Sequence, residues 1–199
     1  MQYQIERIER EFSAGEIAEF IGVSQVMQRD WRRHGYLPPS EPRRRVKFGL
    51  LQMAYLGLMK VQIDAGKPPS TASGLAKWTA PLAVMQIEIC PPAVKIEGID
   101  LPDSEKRRFM YEMANRTEDE AGSRYLFFPN RQSLPKTSLP GGEDTSPVGC
   151  YSFGSLAEME GAVERDWITG QIFDLEAFAM SLALKAGPLI TYRASPEAP

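Results

Sequence analysis

Gln25, Gln28, Arg29 and Arg32 stand at i, i+3, i+4 and i+7 within the stretch GVSQVMQRDWRRHGYLPP, Gly22 to Pro39. On a helix these four share one face. A glutamine amide pairs with the edge of an adenine, and an arginine guanidinium with the edge of a guanine, so such a face has the donors to read bases in a major groove. Arg33, Arg43, Arg44, Arg45 and Lys47 add cations of the kind that hold phosphates without reading sequence. Ser24, at the start of the same helix, adds the backbone N–H groups that anions meet at a helix N-terminus.

The elements that must position these residues carry their own signals. Ser13 followed by Glu16 is a capping box, with Phe12 and Ile17 flanking it as a hydrophobic staple. Ile17, Ala18, Phe20 and Ile21 supply the apolar side of this first helix, and Gly22 ends it. Ser24 caps a second helix, predicted over residues 24–34, on which Val23, Met27 and Trp31 recur every four residues and face the first. Gly35 and Pro38-Pro39 stop it. Residues 40–47 are expected to form a basic hairpin, or wing. A third helix is expected from about Gly49 to Ala65, apolar around most of its circumference and so buried on more than one side.

Charge is unevenly placed. Between Ser24 and Lys60 there are eight Lys/Arg and two acids, an excess of +6 on a chain whose net charge is −3. A local positive patch on an acidic molecule points to a polyanion docking at one place. Catalytic chemistry finds little to build on. His34 is the single histidine and lies inside the basic unit, which leaves none for a triad or a metal cluster elsewhere. No phosphate-binding or dinucleotide fingerprint is present. Glu158, Glu160, Glu164 and Asp166 read as a solvated helix face. Cys90 and Cys150, far apart, read as reduced thiols. The charged start MQYQIERIEREF has no apolar signal region, and Phe48 to Met59 is too short to span a bilayer. No enzyme activity, metal, cofactor or membrane contact is expected, and the expected compartment is the cytoplasm.

A short helix near Thr71 to Lys77 is predicted. The texture changes near Pro81. VMQIEIC (Val84 to Cys90) alternates as a half-buried strand does, with Ala93 to Ile96 as a neighbour. Asp103 to Asn115 reads as a helix with Phe109, Met110 and Met113 inward. Tyr125 to Phe128 and Cys150 to Phe153 read as strands around a Pro/Ser/Gly-rich loop at about 129–149. Helices at Ser155 to Trp167 and Asp174 to Ala186, and a strand at Leu189 to Arg193, follow. The expected fold class is α+β: residues 1–80 as a winged helix-turn-helix, and residues 81–199 as a small α+β domain for dimerisation, sensing or partner binding.

From Phe12 to Gly66 the chain resembles the DNA-binding domain of the MerR-type transcriptional regulators. Ser13-Ala14-Gly15-Glu16-Ile17-Ala18 resembles the opening of their first helix, Gly22-Val23-Ser24 their turn, and Gly35-Tyr36-Leu37-Pro38-Pro39 the GLLPP that leads into the wing. Arg29 falls on the family's recognition-helix arginine, Phe48 on the aromatic that closes the wing, and Ala65-Gly66 on the LG that ends the third helix. The resemblance implies a four-helix winged domain that binds duplex DNA with its second helix and wing; a homodimer is expected, with RNA polymerase or another regulator as a further partner. The chain also departs from the pattern. Asp30-Trp31 replaces a tyrosine pair, Arg32 an acid, and Val46 the wing arginine, whose phosphate role passes to Arg45 or Lys47. Pro81, Pro91 and Pro92 interrupt the region where the long dimerisation helix is expected, so the family's promoter-untwisting mechanism does not carry over.

The expected function is that of a sequence-specific regulator of transcription, bacterial or phage, with helix 24–34 in the major groove and wing 40–47 on the backbone. Two alternatives stand beside it. One is an architectural or packaging DNA-binder resembling a phage excisionase or small terminase subunit. The other is a module that uses the winged unit for protein contact.

Overall fold

The computed structural model describes residues 3–39, 46–116, 122–129, 150–162 and 170–196. Arg43, Arg44 and Arg45, the tip of the expected wing, lie outside these residues, as do 130–149 of the expected loop and the end of the helix read at Ser155 to Trp167. The described chain is α+β, with helices and strands interleaved from end to end.

The first helices form where local chemistry places them. In α1 (Ala14–Ile21), Ser13 Oγ accepts the Glu16 N–H at 3.3 Å while the Glu16 carboxylate accepts the Ser13 N–H at 2.8 Å. Phe12 and Ile17, the staple, are both fully buried. Gly22 closes α1 at φ 72°, a left-handed value that costs glycine nothing. Helix α2 (Gln25–Arg33) starts under a Ser24 cap that accepts the Met27 N–H. It ends in a Schellman turn: Gly35 donates to Arg32 O and Tyr36 to Trp31 O, with Gly35 at φ 76°.

A short strand β2 (Phe12–Ser13) pairs antiparallel with β3 (Lys47–Phe48), setting Phe12 opposite Phe48. The returning arm beyond residue 45 is thus held beside the start of α1. Helix α3 (Leu50–Asp64) then runs through the core and packs on the long helix α4 (Pro69–Glu88).

Helix α4 corrects two expectations. Residues 71–77 are not a short helix, and Val84 to Cys90 is not a strand; both belong to this 20-residue helix apart from its cap residue Ile89 and Cys90. Proline does not break it. Pro69 opens it, where a missing N–H costs nothing. Pro81 sits on its exposed side, as does Lys77, whose carbonyl loses the N–H partner a proline cannot supply. The polar positions that imitate strand alternation are buried and have partners: the Gln86 amide donates to Ser123 O at 3.2 Å, and Glu88 pairs with Arg7 at 2.7 Å. A long helix therefore does follow Gly66, but it packs against α3 and α7 (Leu175–Ala186).

Strand β1 (Tyr3–Glu9), unforeseen in the sequence, pairs antiparallel with β8 (Ile190–Pro196), and β4 (Val94–Glu97) flanks β8 in parallel, after the 3₁₀ turn Pro91–Ala93. Helix α5 (Asp103–Met113) buries Met110, and Phe109 meets Tyr192 edge-to-face at 5.7 Å. A second sheet orders β6 (Tyr151–Phe153), β5 (Tyr125–Pro129) and β7 (Gly170–Asp174), all antiparallel. Helix α6 (Leu156–Ala162) follows β6, and α7 follows β7 under an Asp174 cap.

The division expected at residue 80 falls inside α4, and one buried cluster runs from Phe12 and Trp31 through Met59 and Ala80 to Leu182 and Tyr192. Interactions cross that position repeatedly. Lys185 Nζ donates to Phe20 O at 2.9 Å, and Arg10 donates from its guanidinium to Ala186 O. Gly57 lies so close to the Phe178 ring that an added Cβ would sit 2.8 Å from it. Among the described residues, no helix is long and apolar enough to cross a membrane.

Candidate nucleic-acid interface

The orientation of α2 decides which side chains are offered outward. Trp31 and Gln28 point into the protein, and Met27 is half-buried. At 100° per residue the exposed arc therefore centres on Gln25, Val26, Arg29, Asp30 and Arg33. The expected face of Gln25, Gln28, Arg29 and Arg32 is rotated from this arc. Gln25 and Arg29 belong to both, Arg32 sits half-buried at the margin, and Gln28 leaves the surface.

Gln28 is the correction among the expected site residues. It is 2 % exposed, and its amide donates both to Ala14 O at 2.9 Å and to Val23 O at 2.8 Å. Both N–H groups are consumed in tying α2 to the first turn of α1 and to the connecting turn. None remains for a base edge. A periodicity cannot show this, because a buried glutamine and an exposed one occupy the same polar row.

The exposed groups form a basic cluster. Arg33 is 78 % exposed by side chain and stands 3.9 Å from Asp30, which also lies 3.6 Å from His34 Nδ1. The acid that would otherwise face a polyanion thus has two basic neighbours. Arg29 donates from Nε to Gln25 O at 3.2 Å, and Arg32 from Nε to Pro38 O at 2.9 Å. Arg29, Arg32 and Arg33 border a shallow depression of about 610 Å³ whose other walls are Gly35 to Pro39. Ser24 holds its hydroxyl in the cap, and Lys47 is paired with Glu11 at 2.7 Å. That pair is exposed, the kind worth little in water, so Lys47 remains exchangeable.

Anchors behind the cluster were not foreseen. The Tyr55 hydroxyl donates to Tyr36 O at 3.0 Å and lies 2.8 Å from Ser73 Oγ, which fastens the end of α2 to α3 and α4. Burial pushes the Tyr55 phenol up from its usual range. Arg10 stacks over Phe12 and Phe20 at 5.3 and 5.7 Å and pairs with Glu16 at 2.8 Å. Nothing in the sequence links Arg10 to a carbonyl at residue 186.

Glu16 reports on this scaffold. The Ser13 N–H, then Arg10 and the Ser13 hydroxyl, hold its carboxyl down at about 2 from an ordinary 4.5. A group depressed on folding stabilises above its unfolded value and loses that contribution as pH falls through its folded value. Urea midpoints are expected to fall between pH 4.5 and about 2 in the wild type, and to fall less in Glu16→Gln over the same window. Equal slopes would remove Glu16 from the acid response.

Compared with protein-family models and with curated proteins, the chain matches none.

Proposed function

We propose that residues 12–66 act as a winged helix-turn-helix of MerR-like type and that the chain is a sequence-specific regulator of transcription, binding duplex DNA with α2 in the major groove. The observation that carries this reading is the outward arc of α2. It is a helix clamped on its inner side by Trp31 and Gln28, and it presents Gln25, Arg29 and Arg33 together beside a depression bordered by three arginines. Gln25 and Arg29 have the donors for base edges. Arg32, Arg33 and Lys47 have the charge for phosphates. Arg43, Arg44 and Arg45 follow Pro39, the last residue to border the depression, in the sequence, and in this reading they add phosphate contacts. In this reading residues 81–199 provide the dimer interface or sense a ligand, and the regulator works without catalysis.

The test is a salt titration. Replacing Arg43, Arg44 and Arg45 together with Ala is expected to flatten the dependence of log K on log salt by about 0.9 for each phosphate no longer neutralised. Fluorescence anisotropy on a duplex chosen by selection from a random library measures it. An unchanged slope would place the wing away from the backbone, and failure of the wild type to bind any duplex would refute the reading.

A further inference from the structure

The outward arc of α2 contains one residue that polar chemistry does not explain. Val26 is 66 % exposed, on a helix whose other exposed members are Gln25, Arg29, Asp30 and Arg33. It occupies the first turn, three residues before Arg29 and beside Gln25. A branched side chain is stiff at χ1, so its methyls are held in a fixed direction at little entropic cost. In a helix that direction leans toward the N-terminus. The N-terminal residues of a recognition helix are the ones that meet base edges. The major groove offers one apolar feature to such a side chain, the C5 methyl of thymine.

We infer that Val26 is a specificity determinant that reads a thymine methyl, next to Arg29 on the exposed arc of α2. This rests on the DNA-binding reading above and deepens it. With Gln28 withdrawn into the core, the reading set becomes Gln25, Val26 and Arg29, so the bound site carries a thymine beside the base read by Arg29. Removing the methyl abolishes this recognition even where the base pair itself is intact.

Deoxyuridine is the probe, because it pairs as thymine does and lacks only the methyl. A duplex selected from a random library with the wild-type chain is resynthesised with each thymine in turn replaced by deoxyuridine. One position is expected to weaken wild-type binding by about fourfold, the worth of burying one methyl-sized group. Val26→Ala is expected to bring the thymine-to-deoxyuridine ratio at that position to about one, and Val26→Thr to keep part of it. Arg29→Ala should leave that ratio intact while relaxing a different position. Val26 is exposed, so both variants should melt with the wild type. A ratio that survives Val26→Ala, or a selected site with no methyl-sensitive thymine, overturns the inference while leaving DNA binding standing. Failure to select any duplex overturns the DNA reading itself, and this inference with it.

Discussion

Gln28→Ala is expected to destabilise the protein by about 1–3 kcal/mol, because it removes both hydrogen bonds that the buried amide donates to backbone acceptors. Those acceptors are Ala14 O and Val23 O, one in the first turn of α1 and one in the turn before α2. Gln28→Glu should cost more. It keeps the shape, removes both donors and turns a carboxylate toward two carbonyl oxygens in a buried place, where an uncompensated charge is expensive. Urea unfolding of the two variants and the wild type measures the effect. Base preference, read on the same selected duplex at a temperature where each variant is folded, should be unchanged. A normal midpoint with an altered preference at one base would return Gln28 to the recognition surface.

Arg29→Ala is expected to do the reverse. Its side chain is exposed, and its hydrogen bond in the described structure is to the carbonyl of Gln25 on its own helix. Stability should therefore move by less than about 0.5 kcal/mol. Specific binding should weaken by about 1–3 kcal/mol and preference at one base position should relax, since a bidentate guanidinium contact discriminates by that amount. Affinity for a shuffled duplex should fall far less. An equal drop on both duplexes would make Arg29 a phosphate-binding residue, and no drop on either would remove it from the interface. The two residues are neighbours in sequence and members of one polar row, so their opposite responses separate the inner and outer sides of α2.

What the sequence makes legible is what local chemistry decides. Ser13 with Glu16, Gly22, Ser24 and Gly35 mark the limits of α1 and α2, because caps and left-handed turns are settled within a few residues. Asp174 and Gly187 mark α7 in the same way. Decisions made at long range are not legible. Strand β1 has its half-buried residues Ile5 and Ile8 three apart, so it shows no alternation, and it exists through pairing with β8. The end of α4 imitates a strand because Gln86 and Glu88 are buried against Ser123 and Arg7, partners that periodicity cannot supply. Pro81 is tolerated because its place on the helix faces water.

The candidate site divides along the same line. The existence of a basic helix with Arg29 on it is legible, while its rotation about its own axis is not. Hydrophobic spacing identifies Trp31 as inward, but the choice between Gln28 and Val26 as the next inward residue depends on the Ala14 and Val23 carbonyls waiting beneath. An amide that can donate to both acceptors is better buried there than a valine with no donor to offer. The consequence of that choice is an apolar side chain on the outer face, where it becomes available to a ligand.

The most direct measurement is an amide chemical-shift map of the full chain titrated with the selected duplex. Large changes are expected at Gln25, Val26, Arg29 and Arg33 that saturate together, with little change across α5 and the sheet of β5, β6 and β7. Changes confined to those later elements, or none on α2 at saturating duplex, would contradict a DNA-reading role for this helix.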